Sequence, residues 1–175
     1  MSNNKRIAKN TIFLYIRMFL IMGVTLYTSR IVLQVLGEDD FGLYNVVGGV
    51  VTMFTFLNGA LAGATSRFIT YEIGRKDDMQ LHKVFNVSFV THLLIALIIV
   101  LLAETIGLWF LYNKMVIPID RFVAAFWVYQ ISIVSCVLSI IQVPYNATII
   151  AHERMGIYAY VGIIEVILKL LIAYL

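Results

Sequence analysis

The stretch LYIRMFLIMGVTLYTSRIVLQVLG, residues 14–37, decides how the rest of the chain is read. It is long and apolar enough to cross a bilayer, which takes about 20 mostly apolar residues, yet it carries Arg17 and Arg30. Between residues 11 and 33, twelve Leu, Ile, Val or Phe side chains favour insertion by roughly 0.3–0.6 kcal/mol each, and an arginine at mid-helix opposes it by roughly 2.5–3.5 kcal/mol. Two central arginines bring the segment near break-even, so their depth matters. With the midpoint near residue 22, a rise of 1.5 Å per residue puts Arg30 about 12 Å from the centre and Arg17 about 7–8 Å. Arg30 can extend to the outer surface along its own stem. Arg17 needs either a side chain stretched toward the inner face or a polar interior to point into, and the residues alone leave both open. Thr28 lies three helical turns beyond Arg17 and shares its face, while Gly23 shares the face of Arg30. Such faces usually meet protein or water rather than lipid.

The rest of the composition agrees with a membrane setting. Of 175 residues, 61% are apolar and 13% charged, and the mean hydropathy is +0.91, more apolar surface than a soluble domain hides in one core. The lone Cys136 sits in an apolar run, which excludes a disulfide framework and reads as a small core residue. A net charge of +3 does not point to nucleic acid, because the basic residues gather at the ends of apolar segments. The N-terminal MSNNKRIAKN before an apolar run could begin a cleaved signal peptide. Arg17 interrupts that run, however, no small-residue cleavage site follows, and further apolar segments come after, so a retained helix is expected.

Five transmembrane helices are expected, at about 11–33, 43–66, 84–108, 121–143 and 157–175, with turns marked by Gly37, Gly42, Gly74, Pro118, Pro144 and Gly156. The fold class is therefore all-α, a polytopic membrane helical bundle, with residues 1–175 forming a single membrane domain. Lys5, Arg6, Lys9, Arg67, Arg75, Lys76, Lys83 and Arg154 fall on one side, and only Lys114 and Arg121 on the other. The positive-inside rule places the first side, with the N-terminus, in the cytoplasm. Tyr44, Trp109, Tyr112 and Tyr158 fall near helix ends, where aromatic rings anchor at the interface. The last segment stops at Leu175 with no polar flank, which reads as a chain cut short.

Within the expected spans, the fourth helix carries the most informative pattern. Ser132, Ser135, Ser139, Gln142 and Asn146 are spaced 3, 4, 3 and 4, within about 80° on one helix face. A polar stripe of that height faces a hydrated or substrate-filled passage, or bonds to other helices. Pro144 is expected to kink this helix near its cytoplasmic end. In the second helix Gly59, Gly63 and Arg67 form one row and Asn58, Ala62 and Thr65 its neighbour, suited to close packing or to a polar passage. Glu165 and Lys169 stand in the favourable order for an i, i+4 ion pair, which would mark an interior-facing surface. His92 and Glu104 lie about 120° apart on the third helix and do not form a metal pair; each is expected at an interface or with its own partner. No nucleotide-binding glycine loop, metal-ligand spacing or nucleophile with a base is present. Neither enzymatic activity nor a metal or other cofactor is expected, and the acids of GEDDFG, Asp39 and Asp40 among them, read as an acidic turn.

The ordered set NTIFLYIRM (10–18), LYTSRIVLQVLGEDDFGLYNVVGGVV (26–51), FLNGALAGATSRFITYEIGR (56–75) and VPYNATIIAHERMGIYAYVGIIEVILKL (143–170) resembles the N-terminal part of bacterial oligosaccharide flippases. These are polysaccharide biosynthesis proteins related to lipid II flippases and to multidrug extruders of the MATE type. The resemblance implies a two-lobed helical bundle, of which this chain holds an incomplete first lobe. It would move undecaprenyl-pyrophosphate-linked oligosaccharide across the inner membrane by alternating access, for lipopolysaccharide (O-antigen) or capsule synthesis. By motif position Arg17, Arg30 and Arg67 match the family's basic residues, which accommodate anionic substrate in a cationic cavity. The implied partners are the lipid-linked oligosaccharide, membrane lipids and other polysaccharide export components, with no nucleic acid. The rival readings are a MATE-type drug or ion antiporter, an integral-membrane transferase using Asp39 and Asp40, and a purely structural membrane fragment.

Overall fold

The computed structural model describes residues 3–174, and among them every regular element is helical. Helix α1 runs Asn3–Thr52 and is broken at Gly37, whose φ of 78° and ψ of 174° leave the helical region. A side chain there would meet the left-handed penalty that glycine escapes. A 3-10 turn, Met53–Thr55, leads into α2 (Phe56–Arg75). Lys76 takes a positive φ of 56°, and the Asp77 carboxylate accepts from the Gln80 N–H at 3.0 Å. This cap starts α3 (Asp78–Leu102) by satisfying one of its free amides. A π-helical stretch, Ala103–Gly107, carries α3 into α4 (Leu108–Asn113), and a 3-10 turn at Ile119–Arg121 opens α5 (Phe122–Ala151). Glu153, with φ 56°, closes α5. Its N–H donates to the Ile150 carbonyl at 2.9 Å and the Arg154 N–H to that of Ile149 at 3.1 Å, the pairing of a Schellman cap. Helix α6 is Met155–Tyr174.

Four stretches are long and apolar enough to cross a membrane: Asn10–Thr52, Asp78–Asn113, Ile119–Ala151 and Met155–Ile172. At most 28% of any such apolar window is buried inside the chain, so the remainder needs an apolar surrounding, lipid or further protein. The fold is an all-α, multi-pass membrane bundle. The expected spans change in three respects. The stretch 43–66 is divided among the end of α1, the 3-10 turn and the start of α2. Helix α2 itself carries Arg67, Glu72 and Arg75 and is not among the four apolar stretches. Helix α5 continues through Pro144 to Ala151 instead of ending at 143. Proline removes one backbone donor but its φ suits a helix, and the Thr148 hydroxyl bonds the Pro144 carbonyl at 2.8 Å.

The chain divides into two compact units, Met1–Phe41 with Ile149–Leu175, and Gly42–Thr148. In the second, α3 and α5 run antiparallel. Tyr112 meets Phe122 at a centroid distance of 4.9 Å near one end, and Phe85 and Phe89 meet Tyr145 at 5.4 and 6.1 Å near the other. Between them Ala96, Ile99 and Ala103 pack with Ala125, Tyr129, Ile133, Cys136 and Ile140, joined by Val47 and Val51 from the end of α1. The α5 positions recur at three- and four-residue intervals, so one stripe of that helix is buried. Cys136 is a buried core residue, as its setting in the sequence implies.

Candidate functional site

In the first unit α1 and α6 run parallel. Asn10 Nδ2 donates to the Glu153 carbonyl at 3.3 Å, and further along Arg17 meets Tyr158 and Gly162. The Arg17 Cζ lies 4.0 Å from the Tyr158 ring centroid, a cation–π stack. Its Nε is buried without a hydrogen-bond partner. The stem passes over Gly162 so closely that a Cβ there would clash with Nε and lie 3.0 Å from Cδ and 3.2 Å from Cγ. Gly162 is therefore the space through which the arginine runs. Tyr158 stands four residues nearer the start of α6, about 6 Å along the axis, so the guanidinium is directed back toward the N-terminal ends of both helices. Arg17 thus stretches toward that end along a protein wall made by Tyr158 and Gly162. Thr28, on the same face of α1, is buried, and its hydroxyl donates to the Val24 carbonyl at 2.7 Å. Leu14, Met18, Ile21, Met22 and Thr25 line with Arg17 an open groove of about 510 Å³.

In the second unit Ser132, Ser135 and Ser139 line a groove of about 520 Å³ whose facing wall is Tyr44, Asn45, Gly48, Gly49 and Thr52. Each serine hydroxyl donates within its own helix, to the carbonyls of Val128 at 2.7 Å, Ile131 at 2.9 Å and Ser135 at 2.9 Å. The lone pairs of those oxygens remain able to accept from a molecule in the groove. Gly48 brings its backbone close to this row: a Cβ there would stand in ordinary contact, 3.6 Å from Ser132 Oγ. Gln142 is exposed and Asn146 half-buried, and neither lines this groove. The five-residue stripe is thus split, three serines converging and two amides continuing beyond them.

Arg30 and Arg67 are exposed. Gly59 and Gly63 are exposed too, with open space where a Cβ would stand. The packed face of α2 is the neighbouring row, with Thr65 and Ile69 buried and Asn58 and Ala62 half-buried. Glu165 and Lys169 are both exposed, and they form no ion pair with each other among the described residues. Exposed long side chains gain too little from pairing to offset the entropy of holding one geometry. Glu104 accepts from Gln130 Nε2 at 3.4 Å, and His92 is buried with Nδ1 2.7 Å from the Ser88 carbonyl. Each has its own partner, as expected. Among the described residues no three His, Cys, Asp or Glu side chains converge on a possible metal position.

By position in the sequence alone Tyr158 is an interfacial anchor and Gly162 has no role. Their shared approach to Arg17 across two helices leaves no local sequence signal beyond a glycine one turn after an aromatic residue. Compared with known proteins, the chain matches no family model, no curated protein and no solved structure.

Proposed function

We propose that this chain belongs to a transporter that flips undecaprenyl-pyrophosphate-linked oligosaccharide across the bacterial inner membrane, with its N-terminus in the cytoplasm. The observation that carries the reading is Arg17. It is a permanent charge in an apolar helix, held against Tyr158 and Gly162, with a buried Nε that no protein acceptor satisfies. A guanidinium donates from a planar fork that matches phosphate oxygens and keeps its charge in a poorly hydrated site. The resemblance of the segments around Arg17, Arg30 and Arg67 to oligosaccharide flippases supports the same assignment. The groove of Ser132, Ser135 and Ser139 offers hydroxyl oxygens at a spacing suited to sugar hydroxyls, and Gln142 and Asn146 extend the polar face. Movement between leaflets needs no covalent step, only a site presented to either side in turn.

The test is binding by the full chain in lipid nanodiscs. Undecaprenyl-pyrophosphate oligosaccharide should bind, and Arg17→Ala should weaken it about 10- to 100-fold, the worth of a charge-assisted phosphate bond. Arg17→Lys should fall between, keeping charge but losing the fork. Equal affinity of the alanine variant would remove Arg17 from the site, and uptake of organic cations without glycan binding would favour the antiporter. For orientation, a reporter fused after Asp40 should read periplasmic and one after Asp78 cytoplasmic.

A further inference from the structure

Helices α2 and α3 form an antiparallel hairpin closed by the turn at Lys76 and Asp77, and between them runs a half-open groove of about 460 Å³. That size is in the range of small-molecule sites. One end of the groove is polar. Gln80 and Lys83 border it there, inside the charged run 75–83 that marks the water boundary at this end of the hairpin. From Lys83 to His92 the groove follows α3 for about 13–14 Å, close to one leaflet of a hydrocarbon core about 30 Å thick. Its walls are mostly apolar, with Leu61, Ala64 and Phe68 facing Val84 and Val87. Phe68 and Val87 are 64% and 66% exposed. The polar groups farther in are spent on their own helix, the Thr91 hydroxyl donating to the Val87 carbonyl at 2.8 Å and His92 Nδ1 bonding that of Ser88 at 2.7 Å. Charge at the polar end is one-sided, because no acid lines the groove. Lys83 is exposed and forms no ion pair among the described residues. Glu72, the acid of α2, lies 3.7 Å from Arg75, and the Asp77 carboxylate accepts from the Gln80 N–H at 3.0 Å.

We propose that this groove binds an anionic phospholipid, with one acyl chain lying along Phe68, Val84 and Val87 and the headgroup phosphate resting on the Lys83 ammonium beside the Gln80 amide. An apolar groove at membrane depth suits water poorly, since a held water needs two to four polar partners. A fatty chain fills it at no such cost. The chain alone would have no use for Lys83, whose ammonium is a point charge able to bind phosphate. A phospholipid brings both parts in one molecule, whereas a packed protein helix would cover Phe68 and Val87 and still have to supply an acid at the mouth. The attraction of a basic residue near the membrane surface for anionic lipid corresponds to roughly a five-fold preference. The groove shares no lining residue with those of Arg17 and of the three serines. The site is therefore independent of what the chain carries.

The experiment is quenching of a single tryptophan by lipids brominated on their acyl chains. Trp109→Phe and Trp127→Phe remove the two native tryptophans, both exposed, and Phe68→Trp places a reporter on the groove wall of the full chain. Val87→Trp reads the opposite wall and takes its place if the first variant does not fold. In mixed vesicles of phosphatidylglycerol and phosphatidylcholine, brominated phosphatidylglycerol should quench the reporter as though enriched roughly five-fold over its bulk share. Leu93→Trp, on the exposed face of α3 away from the groove, should show no enrichment. Lys83→Gln should abolish the preference at the groove and Lys83→Arg should keep it. Equal quenching by the two lipids, a preference that survives Lys83→Gln, or the same preference at Leu93 overturns the proposal. Quenching by neither lipid overturns it as well, because another helix then covers the groove. So does full displacement by soluble glycerol phosphate, which would be a phosphate bound without its chain. The readout needs no glycan, so its outcome does not depend on the transport reading.

Discussion

Two glycines in this protein are each filled by a long side chain from another helix, and they differ in what that side chain can do next. At Gly107, in the π-helical stretch, a Cβ would clash with the Tyr129 hydroxyl and lie 3.1 Å from its Cζ. At Gly162 a Cβ would clash with the stem of Arg17. Tyr129 is 1% exposed, packed in the core, and donates to the Ala103 carbonyl at 2.7 Å. That carbonyl also accepts from the Leu108 N–H, the i+5 bond that defines the π turn. The ring cannot swing away without opening the core. Arg17 is half-buried, with several rotatable bonds and an open groove beside it. The same missing methyl group is therefore structural in one place and a device for placing a charge in the other.

The comparison breaks most visibly at Tyr129. Truncation to alanine should cost about 3–5 kcal/mol, as for other buried aromatic residues, seen as a large fall in the midpoint of chemical unfolding in mixed micelles. Gly107→Ala should cost about 1–3 kcal/mol through overpacking. Combined with Tyr129→Phe, which removes the nearest clashing atom, it should cost less than the sum of the two single changes. Strict additivity would show that Gly107 and Tyr129 do not share the space. Gly162→Ala should leave the unfolding midpoint within about 0.5 kcal/mol, because the arginine can move aside, yet it should weaken pyrophosphate-lipid binding in the same direction as Arg17→Ala. A stability loss as large as that of Gly107→Ala would make Arg17 a packing residue. The smallest effect is expected at Lys76, whose left-handed backbone costs roughly 1–2 kcal/mol in a residue with a side chain. Lys76→Gly should raise the midpoint slightly, the relief being offset by the greater freedom of glycine in the unfolded chain.

Much of the architecture was legible because lipid imposes it. Long apolar runs ended by charged turns can satisfy their backbone only as helices, and the turns at 76–77, 114–118 and 152–154 fall inside the polar punctuations of the sequence. Composition places a span at 43–66 because the apolar run there hides the 3-10 turn at Met53–Thr55, and it ends the fourth span at 143 although the helix continues through Pro144 to Ala151. Of the candidate site, the convergence of Ser132, Ser135 and Ser139 could be foreseen from their spacing, but the facing Gly48 and Gly49 could not. The Gly59–Gly63 row looked like a packing seam by composition, whereas Thr65 and Ile69 occupy the packed face of α2.

The order of apolar and charged residues determined by itself that this chain is helical, crosses a membrane repeatedly and carries arginines within its first span. Side-chain spacing also brought Ser132, Ser135 and Ser139 to one face of α5. The tertiary structure alone decided that Arg17 lies on Tyr158 through the gap at Gly162, and that Tyr129 braces the π turn at Ala103. It also decided that His92 borders the cavity between α2 and α3. Periodicity fixes how residues are arranged around one helix axis, but the neighbour each face meets depends on the rotation and depth of a second helix distant in sequence.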